Sequence, residues 1–324
     1  MIYQYIYISY SQTVNSLYIL NSTGHRRKLI MLDFRVSTFL TVCEYMNYTK
    51  AAEALHITQP AVTQHIHYLE KLYHIKLFQH DGKKLFLSPA GKILLRTASA
   101  IKSDEQFMKE QISRLSPSGL ALRFGTTMTI GEAVISEPLA SYLSRHPGDS
   151  LSLIISNTDD LLKRLRTGDI HFALVEGNYD TSEFDSHIYR TEPFIPVCST
   201  RHSLPNEPCR IRDLFNEHLL LREPGSGTRD ILEKHLDMKN IRLSDFTHIT
   251  EIGSMHVILE LLEKNLGISF LYEAAALQGI QNGTLRRMPL KDFELDHDFT
   301  FIWNRGSVFS DIYLKVYEEL RRYQ

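Results

Sequence analysis

Apolar residues near the N-terminus recur at helical spacing. Phe34, Phe39, Leu40, Cys43 and Met46 place one face of an amphipathic helix over about 33–46. Asn47 or Thr49 supplies the cap of a second helix, Lys50 to His56, in which Ala51, Ala52 and Leu55 permit close packing. After the short turn Ile57-Thr58-Gln59, Pro60 stands where a helix begins, because the amide it lacks has no partner in a first turn. This third helix, to about Tyr73, buries Val62, Ile66 and Leu69 at i, i+4 and i+7. Gln59, Pro60, Thr63, Gln64 and His67 are left facing outward near its start. Glutamine forms a bidentate pair with adenine in the major groove, and a threonine methyl meets that of thymine. The same face suits the solvated surface of an ordinary three-helix domain equally well. The residues after this helix tip the balance. Lys76-Leu77-Phe78, the turn dipeptide Asp81-Gly82 and then Lys83 to Leu87 read as a β-ribbon wing, with Lys83 and Lys84 at its tip for phosphate contacts.

Ser88 as cap and Pro89 at the first position start a long helix that runs to about Leu115, where Ser116-Pro117-Ser118-Gly119 ends it. Leu94, Ala98, Ile101, Met108, Ile112 and Leu115 fall on one heptad seam, broken only by Glu105. Such a seam packs either on its own domain or against a second copy of the chain. The absence of another local partner favours the second copy.

From residue 120 onward strand-like and helix-like segments alternate. Leu120–Gly125, Ser150–Ser156, Ile170–Val175, Leu219–Arg222, His248–Ile252 and Ile268–Tyr272 are the strands, which predicts an α/β domain with mainly parallel sheet. Gly168 and Gly267 sit where C-cap glycines belong. Ligands in such sheets bind beyond the carboxyl ends of strands. Three of these junctions carry hydroxyls, amides or glycines. Thr126-Thr127-Met128-Thr129 precedes a helix, with Thr129 and Glu132 in capping-box spacing, and Asn157-Thr158 opens a second helix. Glu223 to Arg229, through Gly225-Ser226-Gly227-Thr228, opens a third. Free backbone amides and the helix dipole favour an anion there, and Arg229 adds a cation. Each junction taken alone is also explained by simple helix capping.

Charge and composition narrow the classes. The chain is 43% apolar and 23% charged, the balance of a folded domain. Its net charge of −2 hides a mildly basic front: residues 31–115 carry 11 basic and 8 acidic side chains. This is a weak pointer to a polyanion partner. Three cysteines in 324 residues cannot build a disulfide framework, which predicts a reducing, cytoplasmic setting. No run of about 18 apolar residues is present, so no membrane span is expected. Residues 1–30, rich in Tyr, Ile and Ser, lack the pattern of a secretory signal. They read as an N-terminal extension, either poorly ordered or an upstream start, or else as a β-prone arm. His65 and His67 lack the companions of a metal site, and Ser226 lacks the nucleophile-elbow glycines. No metal, cofactor or catalysis is expected.

The run Tyr48-Thr49-Lys50-Ala51-Ala52-Glu53-Ala54-Leu55-His56-Ile57-Thr58-Gln59-Pro60-Ala61-Val62-Thr63-Gln64-His65-Ile66, followed by Leu69-Glu70, Leu77-Phe78 and Leu87-Ser88-Pro89-Ala90-Gly91, resembles the LysR-type transcriptional regulators. Pro89 departs from the glutamate-like residue common there, and fits a helix start. The resemblance is dense over about 60 residues and looser to the C-terminus. It implies an α+β multidomain chain: a winged helix-turn-helix over 31–88, a linker and dimerisation helix over 89–119, and an effector domain over 120–324. The last would be periplasmic-binding-protein-like, with lobe 1 over about 120–193 and 295–324 and lobe 2 over about 194–294. Tyr48, Thr49 and Lys50 would belong to the DNA-binding segment, with Gln59, Pro60, Thr63, Gln64 and His67 on the reading helix. The protein would bind an operator in duplex DNA as a homodimer or a dimer of dimers. Thr127, Thr129, Asn157, Ser226, Gly227, Thr228 and Arg229 would hold a small oxyanion or carboxylate. The family's peroxide sensors offer an alternative, a dithiol switch at Cys198 and Cys209. A solute-binding module without DNA function is the remaining one.

Overall fold

A computed structural model describes residues 18–20, 26–28, 32–82, 84–113, 119–204 and 209–322. The chain separates into two compact units, residues 1–116 and 117–324. Within the N-terminal segment two short strands, β1 (Tyr18–Leu20) and β2 (Arg26–Lys28), pair antiparallel.

Three helices follow, α1 (Phe34–Tyr45), α2 (Tyr48–Leu55) and α3 (Gln59–Tyr73). Phe39, Val42, Ala51, Val62 and Ile66 are fully buried where the three meet, and the alanines let α2 approach closely. Asn47 caps α2, accepting from the amides of Thr49 and Lys50 at 2.8 and 3.0 Å. Thr58 caps α3 by accepting from Ala61 N, with Pro60 in the first turn. The wing is β3 (Phe78–Asp81) and β4 (Lys84–Leu87), joined with Asp81 opposite Lys84 and Gly82 at φ +57°. Glu70 ties the wing to α3. Its carboxylate accepts from Leu77 N at 3.0 Å and from Lys76 Nζ at 2.7 Å.

The long helix, α4 (Pro89–Ser113), is 25 residues, or about 37 Å at 1.5 Å per residue. Ser88 donates to Lys76 O and accepts from Gly91 N, and a Cβ on Gly91 would lie 2.2 Å from Leu77 O. Here the expected seam needs correction. Ala98 is buried and Leu94 half-buried in the core cluster of their own unit. The exposed apolar stripe is instead Ile93, Ile101 and Ile112, with Met108 half-buried; Leu115 lies outside the described residues. Leu94 and Ala98 stand in the first turns of α4, beside α1 and β4, so the core of the unit takes them, while the later positions of the seam run on past it.

In the C-terminal unit one sheet path runs β10-β9-β11-β8-β13-β7-β5-β6, with β12 paired to β8. Lobe 1 is built from β5 (Ala121–Thr126), α5 (Met128–Ala133), α6 (Ser136–Arg145), β6 (Ser150–Ile155), α7 (Thr158–Thr167), β7 (Phe172–Val175) and the first half of β8 (Phe184–Ser199). Lobe 2 holds the rest of β8, β9 (His218–Arg222), α8 (Gly227–Met238), β10 (His248–Ile252), α9 (Met255–Glu263), β11 (Ile268–Tyr272), α10 (Glu273–Gln281) and β12 (Leu285–Arg287). β13 (Asp296–Asn304) and α11 (Ser310–Arg321) return to lobe 1. Strand β8 changes partner at its middle: residues 184–193 pair with β13 and 194–198 with β11, both antiparallel. The expected mainly parallel sheet therefore holds for β5, β6, β7, β9, β10 and β11, while the strands that cross between lobes run antiparallel to it. The first half of β8, polar and partly exposed, has no apolar run to announce it. Gly168 does cap α7, at φ +77°. Gly267 does not cap α9, which stops at Glu263. Asn265 takes the left-handed position (φ +61°), and a Cβ on Gly267 would sit 2.3 Å from His218 O.

Candidate functional site

The outward start of α3 is organised locally. Gln59 Nε2 donates to Thr63 Oγ1 at 3.0 Å, and that hydroxyl donates to Gln59 O at 3.2 Å. The pair is thus held on one surface, where Gln59, Pro60, Gln64 and His67 are exposed and Thr63 half-buried. His65, between two of these positions, turns inward to Thr38 Oγ1 at 3.0 Å and stands edge-on to Phe34. Thr49 and Lys50 are exposed at the start of α2, and Lys84 is exposed on the wing. Lys83 lies outside the described residues. Tyr48 differs from the other residues of its segment: it packs edge-on against Phe78, 5.9 Å away. Burial, with Glu70 nearby, pushes its phenol up to about 12, so the group is neutral and acts as part of the core.

The three junctions of the C-terminal unit do meet. They meet on a residue absent from the site expected from sequence. Glu176, at the carboxyl end of β7, is buried, and its Oε1 accepts from Thr129 Oγ1 of lobe 1 at 3.2 Å and from Thr228 Oγ1 of lobe 2 at 2.6 Å. Thr129 therefore lies inside α5 and forms no capping box; the helix starts at Met128, with Thr127 at the cap position and no side-chain cap bond. Asn157 caps α7, accepting from Asp160 N at 3.0 Å, and its Nδ2 donates across to Glu223 Oε1 at 3.4 Å. Asp159 N donates to Gly225 O at 3.3 Å, and Asn178 donates to Asp230.

Backbone meets backbone between the lobes at two glycines. Gly177, at φ +91°, faces Gly227 so tightly that a Cβ on it would fall 2.6 Å from Gly227 Cα, and a Cβ on Gly227 would fall 2.3 Å from Glu176 O. Neither position has room for a side chain. Ser226, buried at the start of α8, lines a cavity of about 320 Å³ with Thr158, Asp159, Asn178 and Pro224.

Arg229 lines the same cavity, but its Nε and Nη1 are taken by carboxylates. It is paired with Glu233 at 2.6 Å and Glu251 at 2.8 Å on its own lobe. The cation facing the junctions is Arg222, buried at the end of β9, which bonds Glu223 and reaches Met128 Sδ of lobe 1 at 3.4 Å. Burial raises the Glu176 carboxyl, against the lowering influence of the Thr228 bond, the Arg222 charge, Thr129 and Thr127. Glu176 Oε2 and Arg222 Nη1 are buried without hydrogen-bond partners. Sequence reasoning missed Glu176 and Arg222, yet a signal was present. Each is the charged residue that ends an apolar strand, which is where ligands of α/β sheets bind.

Cys198 and Cys209 are fully buried and not joined in a disulfide, and burial in apolar surroundings disfavours the reactive thiolate. Among the described residues no group of histidine, cysteine and carboxylate side chains is arranged to hold a metal ion, and no helix is long and apolar enough to cross a membrane.

A family model for the bacterial regulatory helix-turn-helix protein, lysR family, matches residues 35–92, and one for the LysR substrate binding domain matches residues 117–323. The HTH-type transcriptional activator CmpR of Synechocystis sp. is 30% identical over 278 residues, 84% of this chain and 89% of that protein. The regulator CysL of Bacillus subtilis is 28% identical over 270 residues, 82% and 89% respectively. Among solved structures, the Synechocystis CcmR regulatory domain in complex with 2-PG aligns with a TM-score of 0.57 at 19% identity, covering 63% of this chain and 97% of that one. An H2O2-bound mutant of Corynebacterium glutamicum OxyR aligns at 0.56 and 21% identity, covering 89% and 91%. The chain belongs to the LysR family. It is a DNA-binding transcriptional regulator, not an enzyme, with a winged helix-turn-helix and a two-lobed domain for a small effector.

Proposed function

We propose that this regulator reads its operator with Gln59, Pro60, Thr63, Gln64 and His67, while Thr49, Lys50, Lys83 and Lys84 contact phosphates. It does so as a homodimer, or a dimer of dimers, paired through Ile101, Met108 and Ile112 of α4. Its effector is a small oxyanion or carboxylate taken up between the lobes, near Thr127, Thr129, Asn157, Ser226, Gly227 and Thr228, with Arg222 in place of Arg229 as the cation. The observation that carries the effector reading is that hydroxyl donors from both lobes already converge on one carboxyl group. A cleft so arranged suits a group of carboxylate shape. A ligand held from both lobes binds the closed form better and so shifts the population of lobe arrangements. The test is a thermal-shift and calorimetry series on the full chain with phosphate, sulfate, acetate and 2-PG, since a ligand of the folded state raises its melting temperature by mass action. Saturable binding that Thr127→Ala weakens by about 1–3 kcal/mol supports the reading, and absence of binding by every anion refutes it.

A further inference from the structure

We propose that Glu176 is an internal stand-in for the effector: its carboxyl occupies the seat formed by the Thr129 and Thr228 hydroxyls, and an anionic effector binds by taking those hydroxyls over. This rests on the effector reading above and adds the residue that selects the ligand. The geometry is specific. One oxygen of one side chain accepts from a lobe 1 hydroxyl at 3.2 Å and a lobe 2 hydroxyl at 2.6 Å, the bridge that an effector has to make. The backbone holds the carboxyl there, since Thr158 Oγ1 donates to Glu176 O at 2.8 Å and the next residue, Gly177, is pressed against Gly227.

The seat is also incompletely satisfied. Glu176 Oε2 and Arg222 Nη1 have no hydrogen-bond partner, although both are buried. Buried polar atoms without partners carry a standing cost, so the arrangement with Glu176 seated is poised to be exchanged. An anion with two or more acceptor oxygens satisfies the two hydroxyls and leaves an oxygen for Arg222 or Thr127. A cation offers nothing to those donors. Two carboxylate-like charges cannot both stay ionised side by side in a dry site, so the newcomer has to move or neutralise Glu176. Affinity for the effector is therefore set in part by how firmly Glu176 holds its seat.

The experiment uses the full chain, inorganic phosphate as probe, and calorimetry on wild type, Glu176→Gln and Thr127→Ala. Glu176→Gln keeps shape and one acceptor but removes the competing charge, and is expected to bind phosphate at least about tenfold more tightly than wild type. Phosphate binding that Thr127→Ala weakens but Glu176→Gln leaves unchanged overturns the stand-in while keeping the cleft as the effector site. Phosphate binding indifferent to both variants overturns the effector reading and leaves the seat to be judged by closure alone. For that, amide exchange without phosphate compares wild type with Glu176→Ala at Asp159 N, which bonds across to Gly225 O, and through residues 223–229. Exchange at least about tenfold faster in the variant supports a carboxyl that bridges the lobes, and unchanged exchange overturns it.

Discussion

The start of α3 and the cleft between the lobes solve opposite problems. On α3 the residues proposed to read DNA are what burial leaves over: Val62, Ile66 and Leu69 face the core, and Gln59, Pro60 and Gln64 are exposed because of it. In the cleft the residues proposed to meet the effector are themselves buried and polar, and they come from segments far apart in sequence: Thr129, Glu176, Arg222 and Thr228. A face defined by helical periodicity survives any rearrangement that keeps the helix. A buried polar seat depends on several distant segments arriving within hydrogen-bond distance together.

The comparison is broken first at its base. Ile66→Ala removes a fully buried side chain from the core that aligns α3, and about 2–5 kcal/mol of stability is expected to go with it. Amide exchange in α1 to α3 measures this directly. A loss below about 1 kcal/mol would mean that the reading face is not organised by that core.

The counterpart in the cleft is Gly227→Ala. Its new Cβ would meet the backbone at Glu176 O rather than a flexible side chain, so the lobes have to part, at up to about 3 kcal/mol. Exchange at Asp159 N is expected to rise and anion binding to fall, with operator affinity in the absence of effector retained. If Gly227→Ala instead weakened operator binding and left the cleft amides protected, the glycine contact would have been given the wrong role.

What could be read in the sequence follows the same division. The three helices of the helix-turn-helix were legible to within about two residues, since the Asn47 cap and the buried spacing are local signals; Thr58, read as part of a turn, proves to be the cap of α3. The parallel strands of the C-terminal unit were legible as apolar runs. The crossing strand β8 was not, because its first half is polar and its partner β13 lies about a hundred residues away. Thr129 and Thr228 were found as hydroxyls at strand ends, but their common acceptor was not, because only the tertiary fold brings Glu176 between them. Arg229 misled for a different reason: its sequence position suits an anion, but Glu233, at i+4 on the same helix, was a partner legible in the sequence, and only Glu251 is brought to it by the fold.

A smaller effect separates reading from positioning within the N-terminal unit. Gln59→Ala is expected to cost about 1–2 kcal/mol of discrimination between operator and altered sites, since it removes the bidentate base contact proposed for this side chain. Lys84→Ala removes a charge on the exposed wing, so it should weaken all sequences alike and flatten the salt dependence by about 0.9 in slope. Fluorescence anisotropy at several salt concentrations distinguishes them. Identical behaviour of the two variants would place Gln59 on the phosphates.

The smallest expected effect tests whether a residue can stand in the DNA-binding segment and still act only through the core. Tyr48 lies between the cap Asn47 and the exposed Thr49 and Lys50, so position alone suggests a phosphate contact through its hydroxyl. Its ring packs on Phe78 at the root of the wing, and its phenol is held neutral by burial beside Glu70. Removing only the hydroxyl leaves that packing in place. Tyr48→Phe should therefore change operator affinity and its salt slope by no more than about 0.5 kcal/mol and a tenth of a unit respectively, within the range of substitutions that touch no special feature. Tyr48→Ala, which removes the ring, should lower the stability of the unit by about 3–5 kcal/mol at full burial and by less at a half-buried site. Anisotropy titrations beside denaturation curves read both. A Tyr48→Phe variant of unchanged stability but tenfold weaker operator binding would return the hydroxyl to the DNA and make Tyr48 a reading residue after all.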